Sequence, residues 1–188
     1  MKRINEIFYS LQGEGCHTGT PAVFVRFAGC NLRCSFCDTD FSSFTEMSDE
    51  EIVAAVMKYP SNVVILTGGE PTLQLTTSLL EKLHAANRVV HMETNGTHPL
   101  PDGPIHWVTC SPKHAPLHIQ RIDELKVVYQ GQDMAQYEGI QASYYSLQPC
   151  DTGDAVKNRE ILQQTIQYIL EHPKWKLSLQ THKMVGIQ

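Results

Sequence analysis

No stretch of this 188-residue sequence is apolar over the roughly 20 residues that a membrane-crossing helix needs. Nor does an apolar segment follow Lys2 and Arg3, so nothing near the start reads as a secretion signal. These absences predict a cytoplasmic protein with its thiols in reducing surroundings, and no membrane partner. Positive charge is also in short supply: 15 Lys and Arg against 20 Asp and Glu leave a net charge of -5. The chain as a whole is then no electrostatic trap for nucleic acid, and no nucleic-acid partner is expected. Internal repeats, low-complexity runs and linkers are missing, so nothing marks a domain boundary. Residues 1–188 read as one domain, long enough for a real core and composed, at 41% hydrophobic and 19% charged, like a soluble globular protein.

Paired C-x2-C units, the usual mark of zinc knuckles, are lacking too; one such unit exists, inside a larger run. That run is Cys30-Asn31-Leu32-Arg33-Cys34-Ser35-Phe36-Cys37, with the spacing C-x3-C-x2-C. The spacing lets one loop turn three sulfurs inward around a compact centre. Thiolates suit iron–sulfur clusters, zinc or Cu(I). A [4Fe–4S] cube is normally held by four Cys, so three local ligands leave one iron open to a small molecule. The competing reading is a zinc site completed by a distant Cys or His. Cys16, Cys110 and Cys150 are scattered and read as buried or free thiols. Any of them, as a fourth ligand, would close the open iron.

Around this run the chain alternates strand and helix signals. The segment from Ile4 to Gln12 reads as a strand or hairpin arm entering a glycine-containing loop, and 22–28 reads as a strand with Pro21 at its start. The cluster loop then extends from Gly29 to Phe44. Ser48 with Glu51 forms a capping box for a short helix with Ile52, Val53, Val56 and Met57 on one face. Val63–Leu66 is a strand buried on both faces, and Leu75, Leu79, Leu80 and Leu83 mark a second helix. Strands are predicted at 88–92, 105–109, 124–129, 144–147 and 176–179. A short helix is placed near Met134, and Asp154 caps a long helix with Leu162, Ile166, Ile169 and Leu170 as its buried face. This order implies parallel βαβ units. A full eight-unit barrel takes about 250 residues, so the fold class expected is α/β, an incomplete, laterally open parallel βα barrel. A doubly wound sheet is the alternative.

Nearly every conspicuous polar cluster follows a predicted strand: the cysteine loop, Thr67–Glu70, Glu93–Asn95, Ser111–Lys113, Gln148–Asp151 and Gln180–Lys183. In parallel folds the strand C-termini share one side, where ligands bind. Loops are wet in any case, but wetness does not explain Gly-Gly-Glu, Ser-Pro-Lys and Gln-Pro at these places. Gly68-Gly69 allows close approach of the backbone to a ligand.

The cysteine run with Phe36 before its last Cys, together with Gly68-Gly69-Glu70-Pro71, resembles the radical S-adenosylmethionine (radical SAM) enzymes. The resemblance implies a partial barrel in which Cys30, Cys34 and Cys37 hold a [4Fe–4S] cluster and SAM chelates the open iron. Reductive cleavage of SAM then yields a radical that abstracts hydrogen from substrate. It implies SAM contacts from Phe36, Cys37, Asp38 and Gly69, with Ser111, Pro112, Lys113, Gln148, Pro149, Cys150 and Asp151 as candidates for ribose and carboxylate binding. For Phe36 core packing is the bland alternative. For the Ser111 and Gln148 segments it is loop punctuation.

Leu11-Gln12-Gly13-Glu14-Gly15 and Arg26 narrow the resemblance to the 7-carboxy-7-deazaguanine synthase family, over nearly the whole chain. Gln12 and Glu14 offer the donors and acceptors a pterin edge needs, and Arg26 offers a fork for a carboxylate, a surface ion pair being its alternative. The family converts 6-carboxy-5,6,7,8-tetrahydropterin to 7-carboxy-7-deazaguanine with loss of ammonia, by hydrogen abstraction, ring contraction and return of hydrogen that regenerates SAM. The resemblance further implies substrate contacts from Leu11, Gly13, Thr67 and the chain end at Gln188, and Mg2+ on Thr39. On charge alone Asp38 and Asp40 are stronger magnesium candidates. An electron donor such as flavodoxin or ferredoxin and a homodimer are implied as partners. The alternative function is a radical SAM activase that places a glycyl radical on a partner protein. Activases share the cysteine triad but have no need of Gln12, Glu14 and Arg26 facing the barrel.

Overall fold

Val63-Val64-Ile65-Leu66, the most continuously apolar strand signal, sits at the heart of one nine-stranded sheet among the described residues. The computed structural model describes residues 1–40, 43–113 and 116–188; positions 41 and 42 of the expected cluster loop lie outside them. In chain order the strands are β1 (Lys2–Leu11), β2 (Pro21–Phe27), β3 (Thr45–Met47), β4 (Val63–Gly68), β5 (Val89–Thr94), β6 (Trp107–Cys110), β7 (Glu124–Tyr129), β8 (Tyr144–Pro149) and β9 (Lys176–Leu177). The helices are α1 (Asp49–Val56), α2 (Thr77–Ala85), α3 (Ala155–Glu171) and α4 (Thr181–Val185). The spatial order is β3-β1-β2-β4-β5-β6-β7-β8-β9. From β2 to β9 all pairs are parallel, while β1 runs antiparallel to β2 and β3 antiparallel to β1. The sheet ends at β3 and β9 without pairing back on itself, which makes it the laterally open, partial βα barrel the alternation implied.

Period-two alternation sorts the strands into two faces. Outward residues Val23, Val25 and Phe27 of β2, Val64 and Leu66 of β4, and Val90 and Met92 of β5 pack with Ile52 and Val56 of α1 and Leu79, Leu80 and Leu83 of α2. A second cluster joins Leu125, Val127 and Tyr129 of β7 to Leu147 of β8 and Trp175. Burying such side chains stabilises by about 1.5–3 kcal/mol each, and this layer carries the stability of the fold. The inner face is different: it carries Arg26, Thr67, Glu93, Lys126 and Gln148, which line a cavity.

Local signals behave as their chemistry requires. The capping box forms, with Glu51 N donating to Ser48 Oγ and Ser48 N to Glu51 Oε2. Asp154 caps α3 by accepting from Val156 N and Lys157 N. The segment near Met134 is a single 3-10 turn, Ala135–Tyr137. The buried face of α3 differs from expectation: Ile161 and Thr165 are buried, whereas Leu170 is 73% exposed. Thr165 Oγ1 donates to the Ile161 carbonyl 2.7 Å away, so its hydroxyl is satisfied inside the helix and the residue can be fully buried. That bond makes a polar letter serve as a core position and rotates the buried stripe. The last strand is shorter than expected, Lys176–Leu177 in place of 176–179, and α4 follows it.

Candidate active site

A cavity of about 840 Å³ opens at the C-terminal ends of the parallel strands. The cysteine loop, which leaves β2 through Gly29 (φ +89), lines one side with Cys30, Cys34, Phe36, Cys37, Asp38 and Thr39. This loop is docked by the glycines after β4. Gly69 N donates to Phe27 O at 3.0 Å and Glu70 N to Gly29 O at 2.9 Å. A Cβ on Gly69 would strike the Gly29 carbonyl, and one on Gly68, at φ +130, would strike the Phe27 backbone. The glycines therefore serve a close approach of backbone to backbone, one that the ligand argument alone did not foresee. Beneath them Glu70 is fully buried. Its Oε1 accepts from Thr72 N, Thr72 Oγ1 and Thr94 Oγ1, and its Oε2 from Asn95 N. Glu70 thus locks the β4 loop to the end of β5.

The opposite wall comes from the other strand ends. Lys113 holds its ammonium 5.5 Å from the Phe36 ring centre and donates to Ser111 Oγ at 2.7 Å. Burial, and after it the charge of Lys126, push Lys113 down from the ordinary lysine value. Gln148 is buried and accepts from Ser178 Oγ at 2.8 Å. Pro149, Cys150 and Asp151 line the cavity beyond it. Lys183 of α4 bridges Asp151 at 2.9 Å and Asp38 at 3.0 Å, tying the cysteine loop to the end of β8. The Lys183 hydrogen bond, with those from Gly153 N and Asn158, holds the Asp151 carboxyl at about 2. Of the candidate SAM contacts, Pro112 is buried and lies off the cavity wall.

The floor is built from below. The segment after β1 inserts into the barrel from the side opposite the cysteine loop and carries Leu11, Gln12, Gly13 and Glu14 into the cavity wall. It is held by Cys16 N donating to Glu124 Oε1 at 2.9 Å and Gly15 N to Ser178 Oγ at 2.9 Å. Gly13 O accepts from Thr181 N at 2.9 Å, which stitches this loop to the end of the chain across the open seam. Gly13 packs so closely on His182 that a Cβ there would enter the ring. Arg26 lies inside the barrel, paired through Nε with Glu6 at 2.7 Å, so its ion pair faces the cavity and not the outer surface. Gln188 donates from Nε2 to Glu6 at 2.5 Å and accepts Ser10 Oγ at 2.7 Å, which brings the end of the chain to the cavity wall.

Two floor residues escaped the sequence reading as binding groups. Glu93 accepts from Gln12 Nε2 at 2.9 Å and Thr67 Oγ1 at 3.0 Å. Lys126 reaches Glu14 at 2.6 Å and Glu93 at 3.7 Å. The signal was present in Glu124-Leu125-Lys126, where alternate charged residues on a buried strand must share an inner, polar face.

The three thiols line one side of the cavity, and thiolates are the ligands an iron–sulfur cube takes. Cys30 and Cys34 are pushed up from the ordinary thiol value by burial first, so cluster assembly must displace protons. Cys16 lies beside Glu124 below the floor, and Cys110 is buried with its sulfur toward Gly96, behind the wall. Cys150 lines the cavity on the strand-β8 side.

A partial parallel barrel with three thiols in the loop after its first parallel strand is the architecture of radical SAM enzymes, and the Radical SAM superfamily model matches residues 24–129. A 7-carboxy-7-deazaguanine synthase of Bacteroides thetaiotaomicron is 56% identical over the full length of both chains. Another, from Bradyrhizobium diazoefficiens, is 40% identical over 98% of each. The crystal structure of QueE from Escherichia coli superposes with a TM-score of 0.78 at 26% identity, covering 96% of this chain and 94% of that one. The chain belongs to the 7-carboxy-7-deazaguanine synthase family of radical SAM enzymes.

Proposed function

We propose that this cavity carries out the reaction of that family: conversion of 6-carboxy-5,6,7,8-tetrahydropterin to 7-carboxy-7-deazaguanine and ammonia, a step toward queuosine and other 7-deazapurines. The observation that carries the reading is that one 840 Å³ cavity joins the cysteine loop to a floor of Gln12, Glu14 and Glu93 and a wall bearing Arg26. A glycyl-radical activase has no use for such a floor.

Cys30, Cys34 and Cys37 would hold the [4Fe–4S] cluster. SAM would lie against Phe36, Cys37, Asp38 and Gly69, reaching Ser111, Lys113, Gln148, Pro149, Cys150 and Asp151, with Pro112 fixing the turn behind them. When bound, the cluster and SAM supply reversible hydrogen abstraction from the substrate. The rest is work for this chain's own side chains. Gln12 and Glu14 hold the amino and ring N–H edge of the pterin, and Leu11, Gly13 and Thr67 shape its bed. Glu6 aims Arg26 at the substrate carboxylate. Gln188 closes the wall beside Glu6 and keeps water away from that end. Thr39, which lines the cavity between Asp38 and Asp40, offers magnesium one hydroxyl, in keeping with an ion that takes few protein ligands beside substrate and water. The reductant, of flavodoxin or ferredoxin type, would approach from the cysteine-loop side. A homodimer in the cytoplasm completes the reading; no helix among the described residues is long and apolar enough to cross a membrane.

The test is an air-free assay of reconstituted, dithionite-reduced protein with SAM and the carboxytetrahydropterin. The expected result is the deazapurine absorbance growing with no net consumption of SAM. SAM cleavage without pterin turnover, or a cluster ligated at all four corners by protein, would overturn it.

A further inference from the structure

Lys126 occupies an unusual place in the cavity floor. The strand Glu124-Leu125-Lys126-Val127 turns Leu125 and Val127 outward into the core and Glu124 and Lys126 inward. Lys126 is 4% exposed. Its ammonium stands between two carboxylates delivered by different segments, Glu14 of the inserted loop and Glu93 of β5. The remaining oxygens of that pair are spoken for by neutral donors: Gln180 Nε2 donates to Glu14 at 3.0 Å, Gln12 Nε2 and Thr67 Oγ1 to Glu93. The other charged or titratable groups facing this cluster are Glu124, two residues back on the same strand, Lys113 from the loop after β6, His182 from α4, and His91 of β5 with His17 of the inserted segment from below. None of these makes an ion pair with Glu14 or Glu93 among the described residues; Lys126 alone does so.

We propose that Lys126 is a positioning residue that keeps Glu14 ionised beside Glu93, so that the floor meets the N–H edge of the substrate with acceptors and not with a carboxyl donor. The proposal rests on the reading of this cavity as a pterin site. Two carboxylates sharing a half-buried site without a compensating cation favour taking up a proton over ionising together. A protonated carboxyl is a donor, and a donor facing the substrate's N–H groups repels them. Burial acts to raise Glu14, but the Lys126 charge and its hydrogen bond, with that from Gln180, outweigh it and hold the carboxyl at about 2. Burial likewise acts to lower Lys126, yet Glu14 and then Glu93 hold it above the ordinary lysine value.

The experiment is Lys126→Met on the reconstituted enzyme, measured across pH. The wild type should show a pterin KM nearly flat between about pH 6.5 and pH 9, since Glu14 stays ionised throughout. In K126M the KM should rise by roughly tenfold or more at the acid end and fall back as pH increases, because the shared proton must leave before substrate enters. SAM affinity and SAM cleavage without pterin should change far less than the pterin KM, since Lys126 makes its ion pairs on the pterin side and reaches the SAM wall only through its charge on Lys113. Lys126→Arg should restore the flat profile, and Lys126→Gln repeats the test should Met not be tolerated. A raised KM that does not depend on pH, an equal loss of SAM affinity, or an unchanged KM would overturn the proposal. If the wild type itself neither binds nor turns over the pterin, the functional reading fails, which is a different result from failure of the Lys126 variants alone.

Discussion

Glu124→Ala asks whether one side chain holds the floor of the cavity in place. Glu124 is 2% exposed and lies below the floor. Its carboxylate accepts from Cys16 N at 2.9 Å, Ser146 Oγ at 2.5 Å and Thr109 Oγ1 at 3.2 Å. Hydrogen bonds to a charged group contribute about 1.5–3 kcal/mol each, so independent bonds would sum to about 5–9 kcal/mol. They are not independent: they share one acceptor group, and the two hydroxyls can turn toward other partners once it is gone. The expected net loss is therefore about 3–5 kcal/mol, the range typical of breaking a buried charged network. For a chain of 188 residues that is a fall in Tm of roughly 6–20 °C. Thermal unfolding of the cluster-free protein by circular dichroism measures it, and amide exchange at Gly15 and Cys16 shows where the loss falls. Because Gln12 and Glu14 ride on the same loop, the pterin KM should rise while SAM affinity holds. A Tm within about 3 °C of wild type, or undiminished protection at Gly15 and Cys16, would show that the loop is held by something else.

Gly69→Ala forces a Cβ onto the Gly29 carbonyl, and both partners are backbone that cannot swing aside. The cysteine loop should shift, and iron and sulfide per chain after reconstitution should drop by at least half as an order-of-magnitude expectation, together with SAM affinity; wild-type iron content would contradict the docking described above. His91, its ring tilted against that of His17 at 4.6 Å below the floor, is pulled down to about 4 by burial first and then by the charges of His17 and His106. The folded state thus holds it neutral where the unfolded chain is protonated. Its contribution is full above about pH 6.5 and is lost as pH falls toward 4, since the unfolded state then binds the extra proton. His91→Asn should flatten the pH dependence of Tm in that window; an unchanged slope would assign it to other groups.

The cysteine spacing, the capping residues and the strand–helix alternation were local signals, and each appears in the fold where it was read. The α3 face was misread because the periodicity argument ranks Leu170 above Thr165, and only the core decides that a threonine bonded to its own helix can face inward. Gly68-Gly69 announced a close approach, but its partner, the backbone at 27–29, is far away in sequence.

What the sequence by itself determined is the chemistry available: three thiols on one loop, polar groups after each parallel strand, and a loop carrying the donors and acceptors of Gln12 and Glu14. Those depend on residues close together in the chain, or on a rule that every parallel strand obeys. Tertiary structure alone decided the floor. Lys126, Glu93 and Glu14 come from strands and a loop separated by as many as 112 positions, and the local alternation that turns Lys126 inward does not say which carboxylates it will meet. The inserted loop after β1 enters from the opposite end of the barrel, so its place depends on Glu124 and Ser178 waiting there to receive its backbone. Long-range pairing of buried charge is settled by which oxygen and which ammonium end up within reach, and that is a property of the folded chain.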